Sequence, residues 1–360
     1  ASSMARPTTR SSAKRFASAS VAAAVANRPS KKKTPRVEKQ KATTQDSQVL
    51  FTLDDSESVL ATLLQRPSKR NRSPYVADIS IPSQNGREAI CHVPSLELGG
   101  KCVPGVTLLC KPARDKQGSL VGPDAVSPKY GTPKCEYIAQ LVHADETSIS
   151  KEYIPTWVGA HPSLGEQIAN ELISRGNLFE NLVEVKREVS RAADLDMRAD
   201  FVLTHEDGTR RVVEVKTVVD TDYSTHYGLP DRTKCVFTSD KLPYKRTAIF
   251  PWGQSKQKGP DGEKVVSARA IKHVRELTKL ASTIEGYQAT VLFMVIRNDA
   301  ESFRPNFEAC PSFCKYLKQA KDAGVEILAK RVSWNVSDNV AQCLEDKQLE
   351  VEWPQELDTK

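Results

Sequence analysis

The chain has no run of about 18 apolar residues, the length a membrane-crossing helix requires, so nothing in it reads as a transmembrane span. Aromatic residues are sparse at 6%, yet a hydrophobic content of 39% over 360 residues is enough for a packed core. Paired C-x2-C motifs are missing. The eight cysteines stand at 91, 102, 110, 135, 235, 310, 314 and 343. Cys310-Pro-Ser-Phe-Cys314 has the spacing of a loose metal half-site, with only His273 nearby to complete it, so reduced, buried thiols are the simpler reading.

Net positive charge is also lacking outside the first 41 residues. That stretch holds 11 Lys and Arg against Glu38, a net of +10, while the remaining 41 basic and 44 acidic residues leave −3. A nucleic-acid surface on the folded part must therefore be a local patch and not a global field. The tail itself is rich in Ala, Ser, Thr and Arg, a composition that fits a mitochondrial or chloroplast transit peptide. Two other readings stay open. Lys31-Lys-Lys-Thr-Pro-Arg36 suits a nuclear-import or DNA-contacting arm, or the stretch is a plain disordered extension in the cytoplasm. We take residues 1–57 as this tail.

From 58 to 155 the pattern is of short strands and turns. Leu60–Leu64, Tyr75–Ile81, Glu88–Val93, Val106–Cys110 and Glu136–Val142 alternate or run apolar, separated by turn chemistry such as Gln84-Asn-Gly86 and Val103-Pro-Gly105. Five strands without a clear helix predict a small β-barrel of the OB type. From 156 to 335 the grammar changes. Apolar residues at 164, 168, 172 and 173 make a helical stripe that Gly176 stops; strands follow at Leu182–Val189, around Asp200 and around Glu214. A second helix places Ile271, Val274, Leu277 and Leu280 inward. Ala289–Ile296 is a continuous apolar run, hence a strand covered on both faces. A third helix (311–323) leads through Gly324 to a strand at 325–329. The order predicts an α/β layer with a mixed sheet. Residues 220–266 read as a long insert with few core positions, and 336–360 as an acidic, weakly patterned tail. No membrane contact is expected, and pairing of identical copies stays open.

Two short pieces carry the chemistry. Arg198-Ala-Asp200-Phe201 and Val213-Glu-Val-Lys216 flank the turn Glu206-Asp-Gly-Thr209, so their strands pair as a hairpin. Glu214 and Lys216 share one strand face. Two carboxylates and an ammonium converging there can hold a divalent cation and act on a phosphate. The alternative is an ordinary solvated strand face.

These residues resemble the PD-(D/E)xK nuclease superfamily. More closely, the chain resembles the sugar fermentation stimulation protein A family, with the long insert similar to plant and algal members. The resemblance rests on Ala61–Arg66, Asn85–Glu88 through Cys102–Gly105, Arg198–Phe201, Glu214–Val218, Arg269–Leu277, Phe303-Arg-Pro305 and Ala320–Ala329, in order over about 60–332. It implies an OB-like barrel domain followed by a restriction-endonuclease-like α/β domain with a mixed sheet, a DNA-binding protein, and a Mg²⁺- or Mn²⁺-dependent nuclease site. A DNA-binding regulator that keeps the nuclease fold without turnover is the alternative, and RNA is a second candidate partner. Departures fall at Ser95-Leu-Glu97, Met197, Phe250-Pro-Trp252 and Arg269-Ala270.

On this reading Asp200 and Glu214 are metal ligands, and Lys216 orients water or neutralises charge on the phosphate. Glu171, aligned with the family's helical carboxylate, is expected as a further catalytic and metal residue, with Glu166 its rival on another helix face. For nucleic acid the candidates are Arg198, which faces the same side as Asp200, and Arg269, Lys272 and His273 at a helix start that favours phosphate. Arg275 reads as an ordinary surface charge. Arg66, Lys69 and Arg70, with Arg72, form a basic cluster in the barrel part suited to tracking a backbone.

Overall fold

Strands dominate the computed structural model of the protein, which describes residues 48–94, 98–232 and 234–357. The first group comprises β1 (Val49–Leu53), β2 (Val59–Gln65), β3 (Val76–Ile81), β4 (Arg87–His92), β5 (Thr107–Pro112), β6 (Tyr137–Ala144) and β7 (Thr156–Gly159). Strands β2 to β6 close into a ring of five: β3 lies between β2 and β4, β5 between β2 and β6, and β4 meets β6 in parallel through Cys91↔Tyr137 and His92↔Ile138. Leu63, Ile79, Ala89, Leu108 and Ala139 fill the interior of this barrel. Asn85 and Gly86 hold φ of 56° and 74°, the left-handed geometry that Asn-Gly supplies cheaply in a tight turn. β7 adds to β6 at the edge.

After α1 (Ser163–Ser174) come β8 (Leu182–Ser190), β9 (Arg198–His205) and β10 (Arg210–Val218). The short strands β11 (Asp220–Thr221), β12 (Tyr223–Ser224), β13 (Thr238–Ser239), β14 (Thr247–Phe250), β15 (Gln257–Lys258) and β16 (Lys264–Val265) precede α2 (Ala268–Thr283). The chain ends through β17 (Tyr287–Val295), β18 (Ser302–Pro305), α3 (Pro311–Asp322), β19 (Glu326–Ser337) and β20 (Val340–Val351). One mixed ten-stranded sheet runs β11-β14-β18-β20-β19-β17-β10-β9-β8, with β1 paired to β20. The apolar run in β17 lies near its middle for a physical reason: Val291, Phe293 and Val295 pack with α2 and α3, while Leu292, Met294 and Ile296 pack with α1. Both faces are covered, so no polar alternation survives.

The barrel packs on the α1 side. Leu109 and Leu141 point out of it into the same core as Leu164, Leu292 and Trp334. At the exit from the barrel Gly159 donates its N–H to the Ile296 carbonyl at 3.1 Å, and a Cβ there would come within 2.4 Å of Ile296 Cδ1. A side chain at 159 would have to push the Ile296 and Leu164 side chains aside. Gly165 in α1 is likewise pressed against Thr217 of β10, which seats the helix start close over the sheet.

Four parts of the predicted layout change. Residues 49–53, expected within the tail, form β1; residues 1–47 lie outside the described residues, and with them the transit-peptide and basic-arm readings. The boundary expected at 155 falls just before β7, which belongs to the barrel sheet. The expected tail from 336 contains β20, which sits inside the large sheet between β18 and β19. Its acids looked like solvated charge, but Glu345 and Asp346 pair with Lys330 and Arg331 of β19 at 2.8 and 2.7 Å, and a register shift breaks the two-residue period. The 220–266 insert holds more core than its pattern suggested: β14 extends the sheet with Ala248 and Ile249 buried. Its burial was hidden because much of what it buries is polar, including Asp220, Asp222, Arg246 and Thr247.

Candidate metal centre

The β9–β10 ladder runs from Arg210↔Thr204 to Val213↔Phe201 and stops there. Beyond it the strands part, and Asp200 fills the gap: its Oδ2 accepts the Val215 N–H at 2.7 Å, in place of a backbone carbonyl. The Glu-Asp-Gly-Thr turn, with Gly208 at φ 84°, sets this register and so brings Asp200 level with the Glu214–Lys216 end of β10.

Glu214 is 3% exposed. Its Oε1 accepts from Lys216 Nζ and lies 2.6 Å from Nδ1 of His273, which α2 presents toward the sheet. Its Oε2 is buried with no hydrogen-bond partner among the described residues. Burial alone would raise the Glu214 pKa, but the His273 hydrogen bond and the Lys216 charge bring it below the ordinary carboxylate value.

Two further carboxylates arrive from neighbouring elements. β8 pairs antiparallel with β9 through Arg187↔Phe201 and Val189↔Ala199, which sets Glu188 level with Asp200. The Glu188 backbone turns through φ 55° as it does so. The first turn of α1 supplies Glu166. One oxygen each from Glu166, Glu188 and Asp200 lie within 4.8 Å of one another. Arg198 is bonded to Glu188 of this group and is itself largely exposed, while Arg187 and Lys216 add positive charge from farther off. The crowding shows in the proton affinities. Burial and then the Glu214 charge push Asp200 up to about 7, and burial and then Glu188 raise Glu166. Convergent carboxylates that resist ionisation together, beside a buried carboxylate oxygen left without a donor, form the hard-oxygen donor set that suits Mg²⁺, Mn²⁺ or Ca²⁺.

Several expected residues sit elsewhere. Glu171 is a correction: five residues past Glu166 it lies roughly 140° around the helix, and its side chain faces Arg175 at 3.8 Å. Arg175 in turn caps the Val49 and Leu50 carbonyls of β1 at 2.8 and 2.6 Å. Glu166 takes the position by Asp200. His273 is a second correction, since it is buried on Glu214 and not open to phosphate. Glu214 stands beside the three-carboxylate cluster, tied to Lys216 and His273, and is not one of its three members. Lys272 pairs with Asp196 at 2.7 Å, and Arg269 is exposed. Arg66 bonds the Pro74 carbonyl at 2.8 Å within the barrel. Lys69 and Arg70 are exposed on the β2–β3 turn, their backbone N–H groups held by Asp78 and Ser68. The Ser95–Glu97 departure lies outside the described residues. Met197 is buried, and Cys310 and Cys314 pack in the α3 core with no disulfide. Glu188 was missed because nothing local marks it; only the β8–β9 register sets it against Asp200.

The architecture defines a small closed β-barrel joined to a mixed sheet that carries a carboxylate cluster at a strand end. Comparison with known proteins finds relatives for that architecture. A family model described as the sugar fermentation stimulation protein RE domain (SfsA) matches residues 260–338. A sugar fermentation stimulation protein homolog of Symbiobacterium thermophilum is 28% identical over 272 residues, covering 75% of this chain and 86% of the relative. A homolog from Cyanothece sp. is 26% identical over 274 residues, with 75% and 87% covered. The match to the Desulfotalea psychrophila homolog is 27% over 180 residues and spans 49% of this chain and 60% of that relative. The solved structure of Pyrococcus furiosus SfsA in complex with Ca²⁺ shares the fold, with a TM-score of 0.56 at 19% identity over 84% of this chain and 99% of that one. The chain is thus similar to SfsA proteins in sequence over up to 75% of its length, and shares the fold of one of them.

Proposed function

We propose that the protein binds nucleic acid, DNA first, and hydrolyses a phosphodiester at the Asp200 cluster with Mg²⁺ or Mn²⁺. The observation that carries this reading is the approach of Glu166, Glu188 and Asp200 to within 4.8 Å of one another. That the Pyrococcus furiosus protein was solved with Ca²⁺, another oxygen-seeking cation, supports it. When bound, the ion lowers the pKa of coordinated water and offsets charge on the phosphate. Asp200, Glu166 and Glu188 hold the ion. Glu214 and His273 keep the Lys216 ammonium at the cluster's edge, where it can meet a phosphate oxygen. Arg198, exposed and bonded to Glu188, exchanges that partner for phosphate at little cost.

The test is a cleavage assay on single- and double-stranded DNA and on RNA with Mg²⁺ or Mn²⁺. Asp200→Ala and Glu166→Ala should each lower the rate at least ~100-fold, on the order of 2.7 kcal/mol, while Glu171→Ala leaves it within about threefold. Undiminished cutting by Asp200→Ala would remove the mechanism.

One observation favours a second reading, a DNA-binding regulator without turnover: Lys216 is committed to Glu214 and not to the cluster. On that reading the same substrates are bound and none is cut. We further propose a plant or algal type of family member, from the 220–266 insert, and an organellar destination, from the composition of residues 1–40.

A further inference from the structure

The outer face of α2 carries Lys272, Arg275 and Lys279, spaced three and four residues apart and so aligned along one side of the helix. All three are exposed. The β15–β16 hairpin stands opposite, and between the two runs a groove of about 530 Å³ whose lining adds Lys258 and Pro260. Glu276 is the one acid in that lining, and its carboxylate already accepts the Asp196 N–H at 3.0 Å. Four cations against one acid stand out on a folded part whose overall charge is near neutral.

We propose that this groove holds the phosphate backbone of the nucleic acid and delivers it to the carboxylate cluster. The inference rests on the function proposed above and gives it a path. From Lys272 to Lys279 the helix rises roughly 10 Å, about three nucleotide steps along one strand of a duplex. The path continues in the right direction. Lys272 pairs with Asp196, two residues before Arg198, and Arg198 bonds Glu188 of the cluster. The Lys272–Asp196 pair is solvent-exposed on both sides and yields easily to a phosphate. The Arg275 guanidinium rests 5.2 Å from the Tyr316 ring centroid, a contact that steadies the charged head on a residue that stays exposed. α2 thus has two jobs: its buried face places His273 on Glu214, and its outer face meets the substrate.

The experiment is a salt titration of the full chain binding a fluorescent, random-sequence DNA duplex, read by anisotropy. The triple variant Lys272→Ala/Arg275→Ala/Lys279→Ala should weaken binding about 10- to 100-fold near 0.1 M salt and reduce the slope of log K against log salt by about 2 to 3. Because Ala favours helix, the fold should persist; the pair Lys272→Ala/Lys279→Ala, which spares the Tyr316 contact, should lose about two thirds of the same slope. The barrel variant Lys69→Ala/Arg70→Ala/Arg72→Ala should change the slope by less than about 0.5. Should the barrel variant carry the loss and the helix variants none, the groove is overturned while nucleic-acid binding stands. Should the unmodified protein bind no duplex yet still be stabilised by Mn²⁺, the proposed function and the groove fall together.

Discussion

Two groups of charged residues in the molecule are built on opposite plans. At the junction of barrel and sheet, Lys101 pairs with Asp220 at 2.7 Å, Arg246 reaches Glu146 and Asp299, and Arg297 holds both Asp299 oxygens at 2.6 Å. Three acids meet three bases. Burial alone would raise Glu146 and Asp299, yet the neighbouring Arg and Lys charges hold both below the ordinary carboxylate range. At the end of β9, Asp200, Glu166 and Glu188 gather with one direct ion pair among the described residues, Arg198 to Glu188, while Arg187 and Lys216 act from farther off; Asp200 and Glu166 are still pushed the other way. A balanced network holds the two layers together. An unbalanced one creates room for a cation, and the sign of the proton-affinity shift separates the two.

The largest effect should come from unbalancing the junction. Arg297→Ala leaves buried Asp299 with Arg246 as its remaining cation among the described residues and should cost about 3 kcal/mol in a denaturant melt; a loss under about 1 kcal/mol would break the contrast. Next, Mn²⁺ or Ca²⁺ at about 100 times its Kd should add about 2.7 kcal/mol to stability, a gain that Asp200→Asn abolishes and that no substitution at the junction removes. Third comes pH. The Asp200 pKa is raised, so its protonated form is the one the fold prefers. Its contribution is full below the ordinary carboxylate value and is lost as pH climbs through about 7. Metal-free protein should therefore weaken between about pH 4 and pH 7 at this site, and the gain on adding Mn²⁺ should be larger at pH 8 than at pH 6. Asp200→Asn should flatten that dependence. The smallest effect belongs to Arg198→Ala, which should change stability by less than about 0.5 kcal/mol while tightening cation binding about two- to threefold, an order-of-magnitude figure for removing one exposed like charge.

Much of this was legible in advance, and the exceptions have causes. The apolar run 289–296 announced a strand buried on both faces, and the α2 stripe announced which side of that helix turns inward. His273 shares that inward side, which its spacing from Ala270, Val274 and Leu277 already implied, although polarity argued for the surface. β20 and the 220–266 segment escaped because pattern reading treats charge as exposed, whereas here the charges are paired inside. In the site, Asp200, Glu214 and Lys216 could be named from their spacing around one turn. The choice of Glu166 over Glu171 needed the rotation of α1 above the sheet.

Local order, then, was written in the chain: strand and helix periods, the β9–β10 hairpin and its acidic and basic residues follow from contacts within a few positions of each other. Partnership between distant segments was left to the tertiary fold. Glu188 reaches Asp200 only through the register of β8 on β9, and Lys258 reaches Lys272 only because a hairpin folds back over α2. Side-chain period is a property of one strand or helix; register and docking angle are settled by which surfaces bury the most apolar area together, and no single segment encodes that.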